Sequence, residues 1–238
     1  MNLISLQLKT SDNFEKNLSR LIFHIKKTSN NSLILAPELY LTGYAYNRLE
    51  EALLITDKAI KLLKNLSKHK IIALTMTTKI NGNYFNTLHL FYKNKIIHTQ
   101  SKTKLFSLGD EDKYFTAGDE KAIKIIKING IKIAILICFE LRFIDLWKKI
   151  QGADIVLIPA MWGKLRKQNY ESLCNALAIT NQCYVVASDS ANKEMAKGSS
   201  INSPFGKIVK NDSKKTITSF FDRKEIQKMR RYLNTGIN

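Results

Sequence analysis

The sequence predicts a mixed α/β domain of β-sheets flanked by helices, and three observations predict it. Short apolar runs alternate with stretches of helical periodicity from the first residues onward. Asn81-Gly82-Asn83, Lys93-Asn94-Lys95 and Asn129-Gly130 separate paired apolar runs, as hairpin turns do. No linker, repeat or low-complexity tract interrupts the chain, so residues 1–238 read as a single domain.

Each element has a local reason. Leu3 to Leu8 alternates as a strand, and Asp12 with Glu15 three residues on should cap a helix running to about Thr28. Ser32 to Ala36 is a short apolar strand stopped by Pro37. Leu53, Leu54, Ala59, Ile60, Leu63 and Leu66 recur at helical spacing between about Glu50 and Lys68, ahead of a strand from Ile71 to Thr77. Two hairpins follow, the second leading through Ile96 to Gln100 into Ser101 to Phe106. Ile123–Ile128 should pair with Ile131–Ile137 across Asn129-Gly130, and a short amphipathic helix after Cys138 should end near Ile150. Ile155 to Pro159 is apolar throughout, as a strand buried on both faces would be. A helix from Asn169 to Asn181 and a strand from Tyr184 to Ser188 repeat the unit. Ser199 to Asn202, a turn at Ser203-Pro204-Phe205-Gly206, strands near Ile208 and from Ile217 to Phe221, and a basic helix from Arg223 to Leu233 close the chain.

Composition narrows the function. A chain of 238 residues with 45% hydrophobic content can bury roughly 70% of its unfolded surface, so neither disulfides nor a structural metal is needed for a core. The longest apolar run, Ile133 to Phe139, falls far short of the roughly 20 residues that span a bilayer, and no membrane association is expected. The N-terminus lacks the basic-then-apolar layout of a signal peptide, so the cytoplasm is the expected address. Cys138, Cys174 and Cys183 are odd in number and form no CxxC pair, which fits a reducing compartment. His24, His69, His89 and His98 lie far apart, with no HxxxH or HExxH spacing, so no metal site is expected.

The formal net charge is +18, which invites a search for nucleic acid. Yet 31 of the 38 basic residues are Lys, scattered over every segment, alongside 29 Ile and 20 Asn. That bias points to an AT-rich coding sequence, and a base- or phosphate-reading surface would favour clustered Arg. No specific nucleic-acid partner is expected.

Three polar residues stand at the ends of apolar strands, where α/β proteins gather their chemistry: Glu38, Lys102 and Cys138. Cys138 lies between a strand and the start of a helix, where backbone N–H groups and the helix dipole favour a thiolate and a neighbouring oxyanion. Each residue alone also has a plain structural reading. A free Cys packs as a small hydrophobe. Glu38 could cap a turn, and Lys102 could be a solvated surface lysine.

Taken together, three stretches resemble the signature of the carbon–nitrogen hydrolase (nitrilase) superfamily. They are Pro37-Glu38-Leu39-Tyr40-Leu41-Thr42-Gly43-Tyr44, Lys102-Thr103-Lys104-Leu105-Phe106 and Ile137-Cys138-Phe139-Glu140-Leu141-Arg142-Phe143. Glu111 with Tyr114-Phe115-Thr116-Ala117-Gly118, Gly152-Ala153-Asp154-Ile155 leading to Pro159-Ala160-Met161-Trp162, and Asn181-Gln182-Cys183-Tyr184-Val185-Val186 are similar too. The appearance is that of the ω-amidase and deaminated glutathione amidase-like branch. Lys104 stands where many relatives have His, and Glu140 where Asp is usual.

The resemblance implies a four-layer α-β-β-α sandwich, assembly into a homodimer or larger homo-oligomer, and no cofactor. It implies Cys138 as nucleophile, Glu38 as general base, Lys102 facing the tetrahedral intermediate, and Glu111 as a second acid that orients the lysine or the water. The backbone N–H of Phe139 joins Lys102 at the oxyanion, and Lys104 is expected to point to another face. Amide hydrolysis needs these parts: an activated nucleophile, donors aimed at the developing oxyanion, and a proton for the leaving amine.

Arg142, four residues after Cys138, would reach the far end of the substrate pocket and bind a carboxylate through two parallel hydrogen bonds. An ion pair with Glu140 or Asp145 is the structural alternative. Trp162 and Phe115 are expected as apolar walls. The expected activity is cleavage of a small carboxylate-bearing amide through a Cys thioester. N-carbamoyl amidohydrolysis is the alternative within the superfamily, and a non-catalytic basic binding protein the alternative outside it.

Overall fold

Two six-stranded sheets form the middle layers of the molecule, in a computed structural model that describes residues 1–237. The first sheet is built from β1 (Asn2–Leu6), β2 (Ser32–Leu35), β3 (Ile71–Ile80), β4 (Asn83–Tyr92) and β5 (Lys95–Ser101). The second is built from β6 (Ile126–Ile128), β7 (Ile131–Ile135), β8 (Ile155–Ala160), β9 (Tyr184–Asp189), β10 (Ser200–Asn202) and β11 (Ile208–Lys210). The last strand, β12 (Thr216–Phe220), returns to the first sheet and pairs antiparallel with β1. Strand orders are β12-β1-β2-β3-β4-β5 and β11-β10-β9-β8-β7-β6. In each sheet three parallel strands, β1-β2-β3 and β7-β8-β9, are flanked by antiparallel ones.

Alternation along the parallel strands explains the layering. Leu3, Leu33, Leu35 and Ala73 point inward and share a core with Ile133, Ile135 and Val186 of the second sheet. Ile4, Leu6, Ile34 and Ile72 point outward, against α1 (Phe14–Lys26) and α2 (Leu49–Leu66). Among the other helices, α4 (Ile144–Lys149) and α5 (Lys167–Thr180) bury Leu146, Trp147, Cys174 and Leu177 against the second sheet, completing the α-β-β-α order. A one-turn α3 (Glu111–Tyr114) and the C-terminal α6 (Arg223–Tyr232) complete the set. Polar contacts also cross between the sheets: the Ser5 hydroxyl donates to the Ala187 carbonyl at 2.6 Å and the Ser188 hydroxyl to that of Leu6 at 2.5 Å.

Several boundaries differ from the sequence expectation. Asn13, not Asp12, caps α1, because its side chain accepts the backbone N–H of Lys16. All three hairpin turns form, with Asn81, Gly82, Lys93, Asn94, Asn129 and Gly130 at positive φ as tight two-residue turns demand. The strand expected from Ile123 begins only at Ile126, since Ile123 caps a 3₁₀ turn over Glu120–Ala122. The helix expected after Cys138 splits into a 3₁₀ turn, Cys138–Arg142, and the short α4. No helix of the described residues is long and apolar enough to cross a membrane.

Candidate active site

The parallel strands of both sheets end toward one cavity of about 310 Å³. Its lining includes Tyr44, Lys102, Glu111, Cys138, Arg142 and Trp162. Glu38 follows β2, Lys102 follows β5, and Cys138 follows β7, so the three strand-end residues singled out by sequence do converge.

Lys102 lies at the centre, and its side chain is wholly buried. Its Nζ donates to Glu38 Oε1 at 2.8 Å, to Glu111 Oε2 at 2.7 Å and to the Tyr44 hydroxyl at 3.2 Å. Burial alone would push the ammonium toward neutrality, but Glu38, Cys138 and Glu111 outweigh it and raise its proton affinity above that of an ordinary lysine. Lys102 therefore stays cationic. Glu111 is raised by burial and by Glu38, with Lys102 opposing; its Oε2 also accepts the backbone N–H of Phe106 at 2.8 Å. Tyr44 is raised well above the usual phenol range by burial, then by Glu38 and Glu111, so its hydroxyl remains a donor.

Cys138 is the hinge between β7 and the following turn, and its φ of 49° lies in the left-handed region that a non-glycine residue rarely occupies. Burial, followed by the charge of Glu38, pushes its thiol well above the ordinary range, with Lys102 and the backbone N–H of Met161 pulling the other way. This corrects the expectation of a thiolate stabilised by a helix dipole. A single 3₁₀ turn has little macrodipole, and burial dominates. The resting group is a thiol beside a carboxylate.

Contacts between the two sheets hold these groups in register. Glu38 donates its backbone N–H to Ala160 O at 3.1 Å, and its Oε2 accepts the Met161 N–H at 3.1 Å, joining the end of β2 to the end of β8. The buried Glu140 carboxylate accepts from the Thr103 backbone and hydroxyl, at 2.6 and 2.9 Å, and from the Ile137 N–H at 2.6 Å. It thereby ties the residue after Lys102 to the residue before Cys138. Gly118 lies so close to Ser101 that a Cβ there would collide with the Ser101 carbonyl, and its N–H binds Lys102 O at 2.8 Å.

Lys104 points away from Lys102, as expected, although residues two apart on one strand would share a face. The strand stops at Ser101, and the freed chain carries Lys104 to Glu120 at 2.5 Å. Arg142 lines the cavity with its guanidinium 5.0 Å from the Trp162 ring, and it donates to Asn169 Oδ1 at 3.3 Å. It forms no ion pair with Glu140 or Asp145; Glu140 is engaged elsewhere, and Asp145 faces Lys148. Phe139 and Trp162 line the cavity. Phe115 does not: it is buried behind Tyr44 and Tyr46 and packs edge-on against both rings.

Sequence reasoning missed Asn86 on β4, whose Nδ2 donates to Glu38 Oε1 at 2.9 Å and to Glu111 Oε1 at 3.2 Å. It also missed Asp189 at the end of β9, which accepts the N–H groups of Trp162 and Gly198 and is pushed up to about 7 by burial. A polar residue at an otherwise apolar strand end was the available signal for Asp189. Asn86, inside an alternating hairpin strand, gave none.

The family model of the carbon–nitrogen hydrolases matches residues 4–231, which take in both sheets and the buried Glu38–Lys102 pair. The chain belongs to the carbon–nitrogen hydrolase family. Among curated proteins it is 31% identical to the 2-oxoglutaramate amidase of Bacillus subtilis (strain 168) over 206 residues, covering 82% of this chain and 79% of the relative. It is 26% identical over 189 residues to the deaminated glutathione amidase of Escherichia coli O157:H7, covering 75% and 72%. Among solved structures, Saccharomyces cerevisiae Nit3, of branch 10 of the nitrilase superfamily, matches with a TM-score of 0.87 at 21% identity, over 99% of this chain and 94% of the other.

Proposed function

We propose that this carbon–nitrogen hydrolase is a thiol amidase that cleaves a small, carboxylate-bearing amide through a Cys138 thioester. The observation that carries it is the buried Lys102, held between Glu38 and Glu111 beside the Cys138 thiol at the floor of the cavity. Glu38 takes the Cys138 proton as Sγ attacks the amide carbon. The developing oxyanion meets the Lys102 ammonium and the Phe139 backbone N–H. Glu38 then returns the proton to the leaving nitrogen as the C–N bond breaks, leaving an acyl thioester. Water, deprotonated by Glu38, attacks the acyl carbon, and the C–S bond breaks to release the carboxylic acid and restore the thiol. Glu111 and Tyr44 keep Lys102 in place throughout.

The names of the relatives support an ω-amide or deaminated peptide as substrate. Arg142 supports the carboxylate, because it lies at the cavity wall against Asn169 and the Trp162 ring and not against an acid. Ile179, Phe205 and Ile208, all partly exposed around α5 and β11, support a homodimer through that face. Ammonia release from a panel of ω-amides, N-carbamoyl acids and nitriles tests the reading. Turnover of ω-amides with a mass adduct on Cys138 is the expected result, and release from nitriles or carbamoyl acids alone would overturn the substrate class. Arg142→Ala should lower the rate ratio of carboxylate-bearing to neutral amides; an unchanged ratio would remove Arg142 from substrate binding.

A further inference from the structure

We infer that Asn86 is a positioning residue for hydrolysis, holding Glu38 and Glu111 on either side of Lys102 so that one Glu38 oxygen is left to face Cys138. This rests on the thiol-amidase reading above. Asn86 is 1% exposed and is not among the residues that line the cavity, so it acts through its neighbours. Its Nδ2 is shared between Glu38 Oε1 and Glu111 Oε1, and its own carbonyl accepts the Lys102 backbone N–H at 2.8 Å. One residue thus touches both acids and the main chain of the cation between them.

The residue type suits the place. Two carboxylates beside one ammonium leave a net negative charge in a buried space, and such a cluster tends to take up a proton. A carboxamide answers with two N–H donors on one nitrogen and adds no charge. With Nδ2 turned to the carboxylates, Oδ1 is buried without a hydrogen-bond partner. An orphaned buried carbonyl costs stability. A residue kept only for packing would not need it.

The other groups on Glu38 are accounted for. Its Oε1 is fixed by Lys102 and Asn86 and its Oε2 by the Met161 N–H, and the Cys138 thiol interacts with the same carboxylate. The ionisable groups facing it are Lys102 from the end of β5, Glu111 from α3, Tyr44 and Tyr46 from the segment after β2 and Cys138 from the end of β7, with Asp189 and Tyr170 also coupled to it. Lys102 is the one cation among them. Removing the Asn86 donors leaves Glu111 Oε1 only the Tyr44 hydroxyl at 3.3 Å and takes from Glu38 Oε1 its one partner besides Lys102.

Two variants test this. Asn86→Asp is isosteric and sets a third carboxylate against Glu38 and Glu111. The acid limb of its kcat/KM profile should move up by about one pH unit or more. At neutral pH kcat should fall about tenfold or more, while KM changes less than about threefold. Asn86→Ser keeps one donor on a short side chain, so its acid limb should move the same way by less. It carries the test if the aspartate variant does not fold. Rates are taken per active site, counted by stoichiometric alkylation of Cys138. Profiles that superpose on that of the unaltered enzyme would overturn the inference, as would a rate loss matched by the loss of titratable sites. Cys138→Ser, assayed beside them, separates the two claims: full activity there would overturn the amidase mechanism itself, whereas a dead Cys138→Ser with unshifted Asn86 profiles would overturn only the role of Asn86.

Discussion

Cys138 and Cys174 are both buried thiols with a carboxylate nearby, yet the proposed mechanism gives chemistry only to the first. Burial pushes both well above the ordinary thiol range, and an acid adds to the shift in each case: Glu38 beside Cys138, Asp189 near Cys174. Cys138 also has a cation, Lys102, and a cavity in front of it. Cys174 has the Tyr170 hydroxyl, and it sits on α5 packed against the second sheet with no accessible surface. Under the proposed mechanism a thiol and an acid together do not make a nucleophile. An adjacent fixed cation and an opening to substrate separate the two, and each can be removed in turn.

The largest effect should come from the thiols themselves. Cys138→Ser should cost about 10⁴-fold or more in turnover, since removing one member of such a unit disables it. Cys174→Ser and Cys183→Ser should keep turnover within a few-fold. A new hydroxyl in an apolar site should lower their stability by about 1–3 kcal/mol, measured by denaturant titration. Comparable activity loss in all three would erase the comparison.

Removing the cation should make the first site resemble the second. Lys102→Ala is expected to cost about 10²–10³ in turnover. It should also destabilise the fold by about 3–5 kcal/mol, because Glu38 and Glu111 remain buried without their counter-ion. Lys104→Ala breaks only a half-exposed pair with Glu120 and should change turnover little in steady-state kinetics. Gly118→Ala attacks the same cation indirectly. Its methyl group displaces the Ser101 carbonyl and with it the strand end that carries Lys102, so a loss of about 1–3 kcal/mol and a fall in kcat should appear together.

The smallest effect concerns the acid near Cys174. Burial raises Asp189 from an ordinary carboxyl to about 7, so between those limits the folded protein holds a proton that the unfolded chain has released. Stability from this group is present at acid pH and is lost as pH rises toward 7. Asp189→Asn should flatten that decline by roughly 2–3 kcal/mol between pH 5 and pH 8 in denaturant titrations, whatever its absolute stability. An unchanged slope would show that Asp189 is ionised throughout.

Much of this architecture was legible in the sequence, for identifiable reasons. The hairpin turns were, because Asn-Gly pairs favour the positive φ that a two-residue connection requires. The parallel core was, because strands buried on both faces, such as Ile155–Ala160, are apolar throughout. Boundaries shifted where neighbouring residues competed for one role, as Asp12 and Asn13 did at the α1 cap. Glu38, Lys102 and Cys138 were visible as polar interruptions at apolar strand ends. The pairing of Glu38 with Met161 and of Glu140 with Thr103 was not, since it joins segments from opposite sheets that sequence order keeps far apart. The state of Cys138 was misjudged for a related reason: its thiol responds to burial created by both sheets, not to the local turn.

Those cross-sheet ties have a consequence for the protein's fluctuations. The first sheet supplies Glu38, Lys102 and Glu111, and the second supplies Cys138 and the Met161 N–H. Neither half holds a complete set. Under the proposed mechanism, an excursion that parts the strand ends of the two sheets disarms the molecule before it unravels, because the thiol leaves Glu38 and Lys102 in one movement. On that mechanism activity is an all-or-none signal of sandwich closure, and partly open forms carry an ordinary, idle cysteine.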